Sequence, residues 1–256
     1  MGLSADKPAA LAAAHEVWVD DYRINSWETD ARRRAPAPHL CRLMQETAWG
    51  HAEHLRMGTR DFTRQGLAWV LSRFTMRLVR RPRWRETLRV YTSVPAREKL
   101  YFHRDFFLTD RKGGELARAS SLWFAIDAAR RRPRRTESYA EHVVVAEYAD
   151  LLGPPEKLEP PAAGEPTASF RVRYHDLDLN GHLTSSRYLD WVLDSFPGDR
   201  HRDHELRGLT VNYLAEALLD EELRVFTADL GAGRYLSALK KTPDGPDACV
   251  VSTEWS

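Results

Sequence analysis

Residues 169–195 read SFRVRYHDLDLNGHLTSSRYLDWVLDS, and the change of period within them decides the fold. Phe170, Val172 and Tyr174 alternate with Arg171 and Arg173, which predicts a strand over 169–174. Tyr188, Leu189, Val192 and Leu193 then recur at three- and four-residue spacing, which predicts a helix over 183–195. Between the two lies the densest polar cluster of the chain: His175, Asp176, Asp178, Asn180, Gly181 and His182. Downstream, strands are predicted over 209–216, 223–230, 235–240 and 248–255. A helix followed by an antiparallel meander is an α+β unit whose sheet packs on the helix.

The same order occurs once earlier. A strand is predicted over 17–22. A helix is predicted over 39–55, where Leu40, Leu43, Met44, Thr47, Ala48, His51 and Leu55 form one stripe, with Pro36 and Pro38 at its start and Gly58 beyond its end. Strands over 68–79, 87–94, 101–108 and 115–126 are parted by Arg81-Pro82, Pro95 and Gly113-Gly114. This is a duplication of architecture, not a short-period repeat. The expected organisation is a first unit over 15–135, a linker over 136–168, and a second unit over 169–256. Five prolines and two glycines between 153 and 166 mark the linker. The Ala/Pro-rich residues 1–14 are expected to fray.

Composition narrows the function classes. The 256 residues are 43% hydrophobic and 29% charged, which suits a globular chain with a full core. No run approaches the ~20 apolar residues of a membrane-spanning helix. No signal or transit leader is expected, so the cytoplasm is the expected compartment. Cys41 and Cys249 are too few for a disulfide framework or a Cys-rich zinc site. Each is expected to be a small buried hydrophobe. No cofactor and no metal site are expected. A net charge of +1 hides an asymmetry: residues 1–140 hold 27 Lys+Arg against 16 Asp+Glu, and residues 141–256 hold 11 against 21. A basic half suits an acidic partner.

Within the polar cluster, Asp178-Leu179-Asn180-Gly181-His182 sets an acid, an amide and an imidazole at every second position. Asp, Asn and Gly are also ordinary turn formers, so a plain strand–turn–helix junction is one reading. An active site is the other. Those three residue types supply a base or nucleophile, a donor and an orienter, and a helix start offers N–H groups to a developing oxyanion.

The stretch from Arg173 to Leu183, running on through Arg187, Tyr188, Leu189, Asp190 and Trp191, resembles the acyl-acyl carrier protein thioesterases. Met44-Gln45-Glu46-Thr47-Ala48, Ala119-Ser120-Ser121-Leu122-Trp123, and Leu209-Thr210-Val211-Asn212-Tyr213 with Glu216 resemble further segments of that family, in the same order. The resemblance implies two tandem hot-dog units, each a long helix wrapped by an antiparallel sheet. It implies an active site in the second unit only, because Glu28-Thr29-Asp30 in the first is followed by nothing like Asn-x-His. The first unit would hold the acyl chain. Two departures stand out: Thr184 and Ser185 replace an Asn-Asn pair, and Ala217 replaces the family cysteine, which removes a thiol mechanism there.

The resemblance further implies hydrolysis of acyl-acyl carrier protein to free fatty acid and carrier, with an acyl-CoA thioesterase or a non-catalytic acyl-binding protein as alternatives. Asp178 would be the central carboxylate, as nucleophile or as base for water. Glu216 would activate the water, and Asn180 and His182 would position the reacting groups. Asp176 is expected to support the turn and His175 to lie at the surface. Trp49, Trp69, Tyr188 and Trp191 are expected in the core, with lining of an acyl tunnel as the alternative for some of them. The run Arg130, Arg131, Arg132, Arg134 and Arg135 is expected to dock an acidic carrier protein, with Arg80 to Arg85 as the next candidate and solvated loop charge as the bland reading. The expected partners are the acyl-bearing carrier and a second copy of the chain, with no nucleic acid and no membrane.

Overall fold

The computed structural model describes residues 17–141, 143, 152–162, 164–242 and 245–256. The fraying expected for residues 1–14 lies outside them. The chain divides into two compact units, Met1–Pro155 and Glu156–Ser256.

The first unit runs β1 (Val17–Arg23), α1 (Ala37–His54), α2 (Thr59–Arg64), β2 (Leu67–Leu78), β3 (Thr87–Arg97), β4 (Phe102–Asp110) and β5 (Glu115–Asp127). A two-residue β6 (Arg132–Pro133) pairs with the end of β5. The spatial order is β1-β3-β4-β5-β2, and every pair is antiparallel. Pro36 and Pro38 suit the start of α1, where backbone N–H groups have no helical partner. Its stripe of Leu40, Cys41, Met44, Thr47, Ala48 and His51 is buried. The β4–β5 turn closes because Asp110 Oδ1 accepts the N–H groups of Lys112 and Gly114, each at 2.9 Å, while Gly113 takes a φ of +83°. Burial holds the His51 imidazole down to about 3, neutral, where its Nδ1 accepts a 2.9 Å bond from the buried Arg104.

The second unit runs β7 (Ala168–Arg171), α3 (Ser185–Asp194), α4 (Gly198–Asp203), β8 (Leu206–Tyr213), β9 (Glu222–Gly231), β10 (Arg234–Lys241) and β11 (Asp247–Trp255). Its order is β7-β9-β10-β11-β8, again antiparallel. Counted by chain order within each unit, both sheets read first, third, fourth, fifth, second. The duplication expected from periodicity therefore extends to the strand order. Trp191 stacks on Phe170 with ring centroids 5.1 Å apart and planes 5° from parallel. Tyr188, Leu189 and Val192 complete the buried face of α3.

Several expectations are corrected. The long helix holds for α1, with 18 residues, but α3 has only 10. The strand expected over 169–174 stops at Arg171, because Tyr174–Asp176 winds into a 3₁₀ turn closed by the Arg173 N–H on Asp176 Oδ2 at 2.9 Å. The strand expected over 209–216 stops at Tyr213. There the N–H groups of Leu214 and Ala215 both donate to the Ala248 carbonyl, which turns the chain out of the ladder. Trp49 is 42% exposed rather than core, and its Nε1 donates to Glu53. Trp69, by contrast, packs among Phe62, Phe102 and Tyr139.

The run Arg80 to Arg85 is not uniformly solvated charge. Arg80 bonds Glu86 and Asp110, and Arg81 pairs with Asp30 at 2.6 Å. The described part of 136–168 is packed rather than loose. Tyr139, Ala140 and Val143 enter the first unit's core, and the Leu158 N–H donates to Asn212 Oδ1 in the second unit.

A candidate active-site loop and its twin

The second unit's polar cluster forms a loop organised by one carboxylate. Asp178 Oδ1 accepts the N–H groups of Asn180 at 2.8 Å and of His182 at 3.1 Å. The Asp178 N–H donates to the His182 carbonyl at 2.8 Å, and the Gly181 N–H to the Asp178 carbonyl at 3.0 Å. Gly181 closes this turn at a φ of +77°, a left-handed conformation that favours glycine. Among the described residues Asp178 Oδ2 makes no hydrogen bond. Asp178 and Asn180 are exposed and His182 is half-buried, so the loop presents its polar groups outward.

The chain leaving β8 locks against this loop. The Leu183 N–H donates to the Ala217 carbonyl at 2.8 Å, and His182 bridges Leu218. That pairing brings Glu216 Oε2 to 3.4 Å from His182 Nε2. Glu216 therefore lies in the loop after β8, not on a strand. Ala217 is fully buried, and its carbonyl anchors the loop pairing. The structure thus brings Asp178, Asn180, His182 and Glu216 onto two interlocked loops.

Tyr188 from α3, a residue read from sequence as core or tunnel lining, is half of a clamp on these loops. Its hydroxyl donates to the Ala215 carbonyl, next to Glu216, at 3.3 Å. Tyr213 from β8 donates in return to the Ser185 carbonyl at 3.1 Å. Their rings meet edge to face at 5.8 Å. Burial pushes the Tyr188 phenol up, so it stays a donor. Asp176 is half-buried, accepts the Arg173 N–H, and pairs with Arg187 at 3.2 Å. His175 is exposed. Thr184 is the N-cap residue of α3, but its hydroxyl makes no capping bond. Among the described residues no group of three His, Cys, Asp or Glu side chains could hold a metal ion. Both cysteines are buried, and burial pushes the Cys249 thiol up.

Arg130 and Arg134 lie 4.0 and 3.8 Å from Asp127, and Arg132 pairs through β6 with the end of β5. The whole run from Arg130 to Arg135 is exposed.

The first unit repeats the loop bond for bond. Asp30 Oδ1 accepts the N–H groups of Arg32 at 2.9 Å and Arg34 at 3.0 Å. The Asp30 N–H donates to the Arg34 carbonyl, and the Arg33 N–H to the Asp30 carbonyl. Arg33 takes the left-handed φ, at 58°, in the place of Gly181. The Ala35 N–H donates to the Pro82 carbonyl, and Arg34 bridges Arg83. In these terms Asp30, Arg32, Arg34 and Arg81 stand where the second unit has Asp178, Asn180, His182 and Glu216. Sequence reasoning missed this twin. The one signal was spacing: Glu28-x-Asp30 matches Asp176-x-Asp178, and each first acid caps a 3₁₀ turn.

A helix laid on a five-stranded antiparallel sheet of this strand order, built twice in one chain, defines a double hot-dog protein. The chain belongs to the acyl-ACP thioesterase family: residues 15–142 match the acyl-ACP thioesterase N-terminal domain and residues 161–256 its C-terminal domain. It is 29% identical to a chloroplastic palmitoyl-acyl carrier protein thioesterase of Cuphea hookeriana over 93% of its length, and 27% identical to a chloroplastic acyl-acyl-carrier-protein hydrolase of Cuphea viscosissima over 93%. It spans 62% of the length of each of these relatives. An acyl-ACP thioesterase from Bacteroides thetaiotaomicron shares the fold at a TM-score of 0.87 and 22% identity, covering 99% of this chain and 100% of that one. The 12:0-ACP thioesterase from Umbellularia californica shares it at 0.84 and 23%, covering 95% and 98%.

Proposed function

We propose that the chain hydrolyses acyl-acyl carrier protein to free fatty acid and carrier in fatty acid biosynthesis. The observation that carries this is the interlocked pair of loops, which carries Asp178, Asn180, His182 and Glu216 in a chain of this family and brings the His182 imidazole to 3.4 Å from the Glu216 carboxylate. Glu216 takes a proton from water as its oxygen attacks the thioester carbon. His182, 3.4 Å from Glu216, orients that carboxylate. Asn180 donates to the oxygen on which negative charge develops. The C–S bond then breaks, and the proton passes to the departing thiolate. Asp178 is tied through Oδ1 and keeps Oδ2 for the reacting groups. It fixes the water, or attacks directly to give an acyl anhydride that water opens.

The first unit holds the acyl chain, with 136–168 as the linker. The run Arg130 to Arg135 meets the acidic carrier, since it is a basic run exposed along its whole length, with Asp127 beside Arg130 and Arg134. The cytoplasm as compartment and a homodimer as assembly complete the proposal. Among the described residues no helix is long and apolar enough to cross a membrane. A panel of acyl-carrier-protein and acyl-CoA thioesters, assayed for free thiol, tests the proposal. It predicts release from the carrier-bound substrates at the higher kcat/KM. Faster turnover of the CoA esters would make this an acyl-CoA thioesterase.

A further inference from the structure

We infer that the twin loop of the first unit is an anion site for a phosphate ester. The backbone cradle of Asp178 to His182 is kept in Asp30 to Arg34, but its chemistry is inverted. Where the second unit presents Asp, Asn, His and Glu, the first presents one Asp and three Arg. The nearby acids are committed to internal partners. Asp30 holds two loop N–H groups and the Arg81 guanidinium. Glu86 holds the Arg83 N–H and Arg80. Glu28 accepts the Asn25 N–H at 2.7 Å.

Three further arginines stand on the same two loops. Arg33, Arg83 and Arg85 are exposed and make no ion pair among the described residues. The Arg34–Arg83 bridge and the bond from the Trp84 N–H to the Arg33 carbonyl, 2.9 Å, fix the two loops side by side. Arg85 lies over the half-exposed Trp84, its guanidinium carbon 4.4 Å from the ring centroid, which holds a long side chain in place. Several guanidiniums on one rigid frame, in excess over their acids, suit the forked acceptor geometry of a phosphate. Coenzyme A and the phosphopantetheine arm of a carrier both carry that group. None of the residues of this site belongs to the second unit.

Calorimetric titration of the full chain with coenzyme A, 4′-phosphopantetheine and phosphate-free pantetheine tests it. The two phosphorylated probes bind and pantetheine does not at the same concentrations. Arg33→Ser with Arg83→Ser and Arg85→Ser weakens the binding at least tenfold at an unchanged melting temperature, and raising salt from 50 to 300 mM weakens it in the wild type. Asp178→Asn leaves the affinity as it was, which separates this site from the catalytic loop. Equal affinity for coenzyme A and phosphopantetheine identifies the arm's own phosphate as the ligand. Tighter binding of coenzyme A identifies its nucleotide end. No binding of either phosphorylated probe, equal binding of pantetheine, or unchanged affinity in the triple variant would overturn the inference. Should the triple variant melt early, Arg83→Glu alone must still weaken binding.

Discussion

Replacing Asp178 by Asn separates chemistry from architecture, and the twin loop supplies an internal control. Asp178 Oδ1 accepts two loop N–H groups, at 2.8 and 3.1 Å, and an amide oxygen can accept both. The loss is the charge assistance. A bond to a charged group contributes about 1.5–3 kcal/mol against about 0.5–1.5 for a neutral one. Solvent discounts this at an exposed carboxylate, which leaves about 1 kcal/mol in total. At about 2–4 °C per kcal/mol for a chain of this size, the melting temperature falls by only a few degrees. Turnover should fall by roughly 10³ or more, because the amide neither attacks nor takes a proton. Asp30→Asn loses the same loop assistance and also the 2.6 Å pair with Arg81, so it should melt lower than Asp178→Asn. It should nevertheless retain thioester hydrolysis. The assay is thiol release from an acyl thioester, alongside a thermal melt of each variant. Near-wild-type turnover in Asp178→Asn, or equal loss of turnover in both variants, would refute the reasoning.

Four further outcomes follow from the same geometry. Glu216→Gln should lower kcat by about 10²–10⁴ with little change in KM, since it removes the proposed water-activating base, and steady-state kinetics would show a larger KM change if Glu216 only bound substrate. Treatment with iodoacetamide should leave turnover unchanged, because both thiols are buried, and a labelled, inactive protein would count against the carboxylate mechanism. Stability should fall in acid. The folded His51, neutral with a pKa of about 3, binds its proton far below the ordinary 6.5, so the stabilisation is full above pH 6.5 and is lost as pH falls towards 3. The slope is about 1.4 kcal/mol per pH unit, and His51→Gln should flatten that limb of the melting temperature against pH. Replacing Arg131, Arg132 and Arg134 with Ser should raise KM for a carrier-bound substrate and spare a small neutral thioester; equal effects on both would assign those arginines to the fold.

Periodicity made most of the architecture legible, because each strand and both main helices bury one face. Leu40, Met44, Thr47 and Ala48 in α1, and Tyr188, Leu189 and Val192 in α3, are buried as their spacing requires. The ends of elements were harder to read. Leu214 and Ala215 look strand-like, but both N–H groups fall on the single carbonyl of Ala248, a tertiary event with no local signature. Trp49 is large, but it falls on the side of α1 opposite the stripe of Leu40, Met44 and His51, and it lies at the water edge. Residue types alone left the candidate loop open between a plain turn and an active site, and the family resemblance of Arg173 to Leu183 pointed to the second. Its twin was not legible, because the loop geometry needs only an Asp at its start and a residue tolerating positive φ three positions on. Arg33 meets the second condition without looking like Gly181. The flanking arginines then hide the shared backbone behind opposite charge.

The central claim is a thioester cleavage, and mass spectrometry of a purified acyl carrier protein incubated with the full chain reads it directly. The account predicts that the carrier loses the mass of its acyl group, that an equal amount of free fatty acid appears, and that Asp178→Asn and Glu216→Gln leave the carrier acylated over the same interval. A carrier that stays acylated in the presence of an equimolar, normally melting wild-type chain would contradict it.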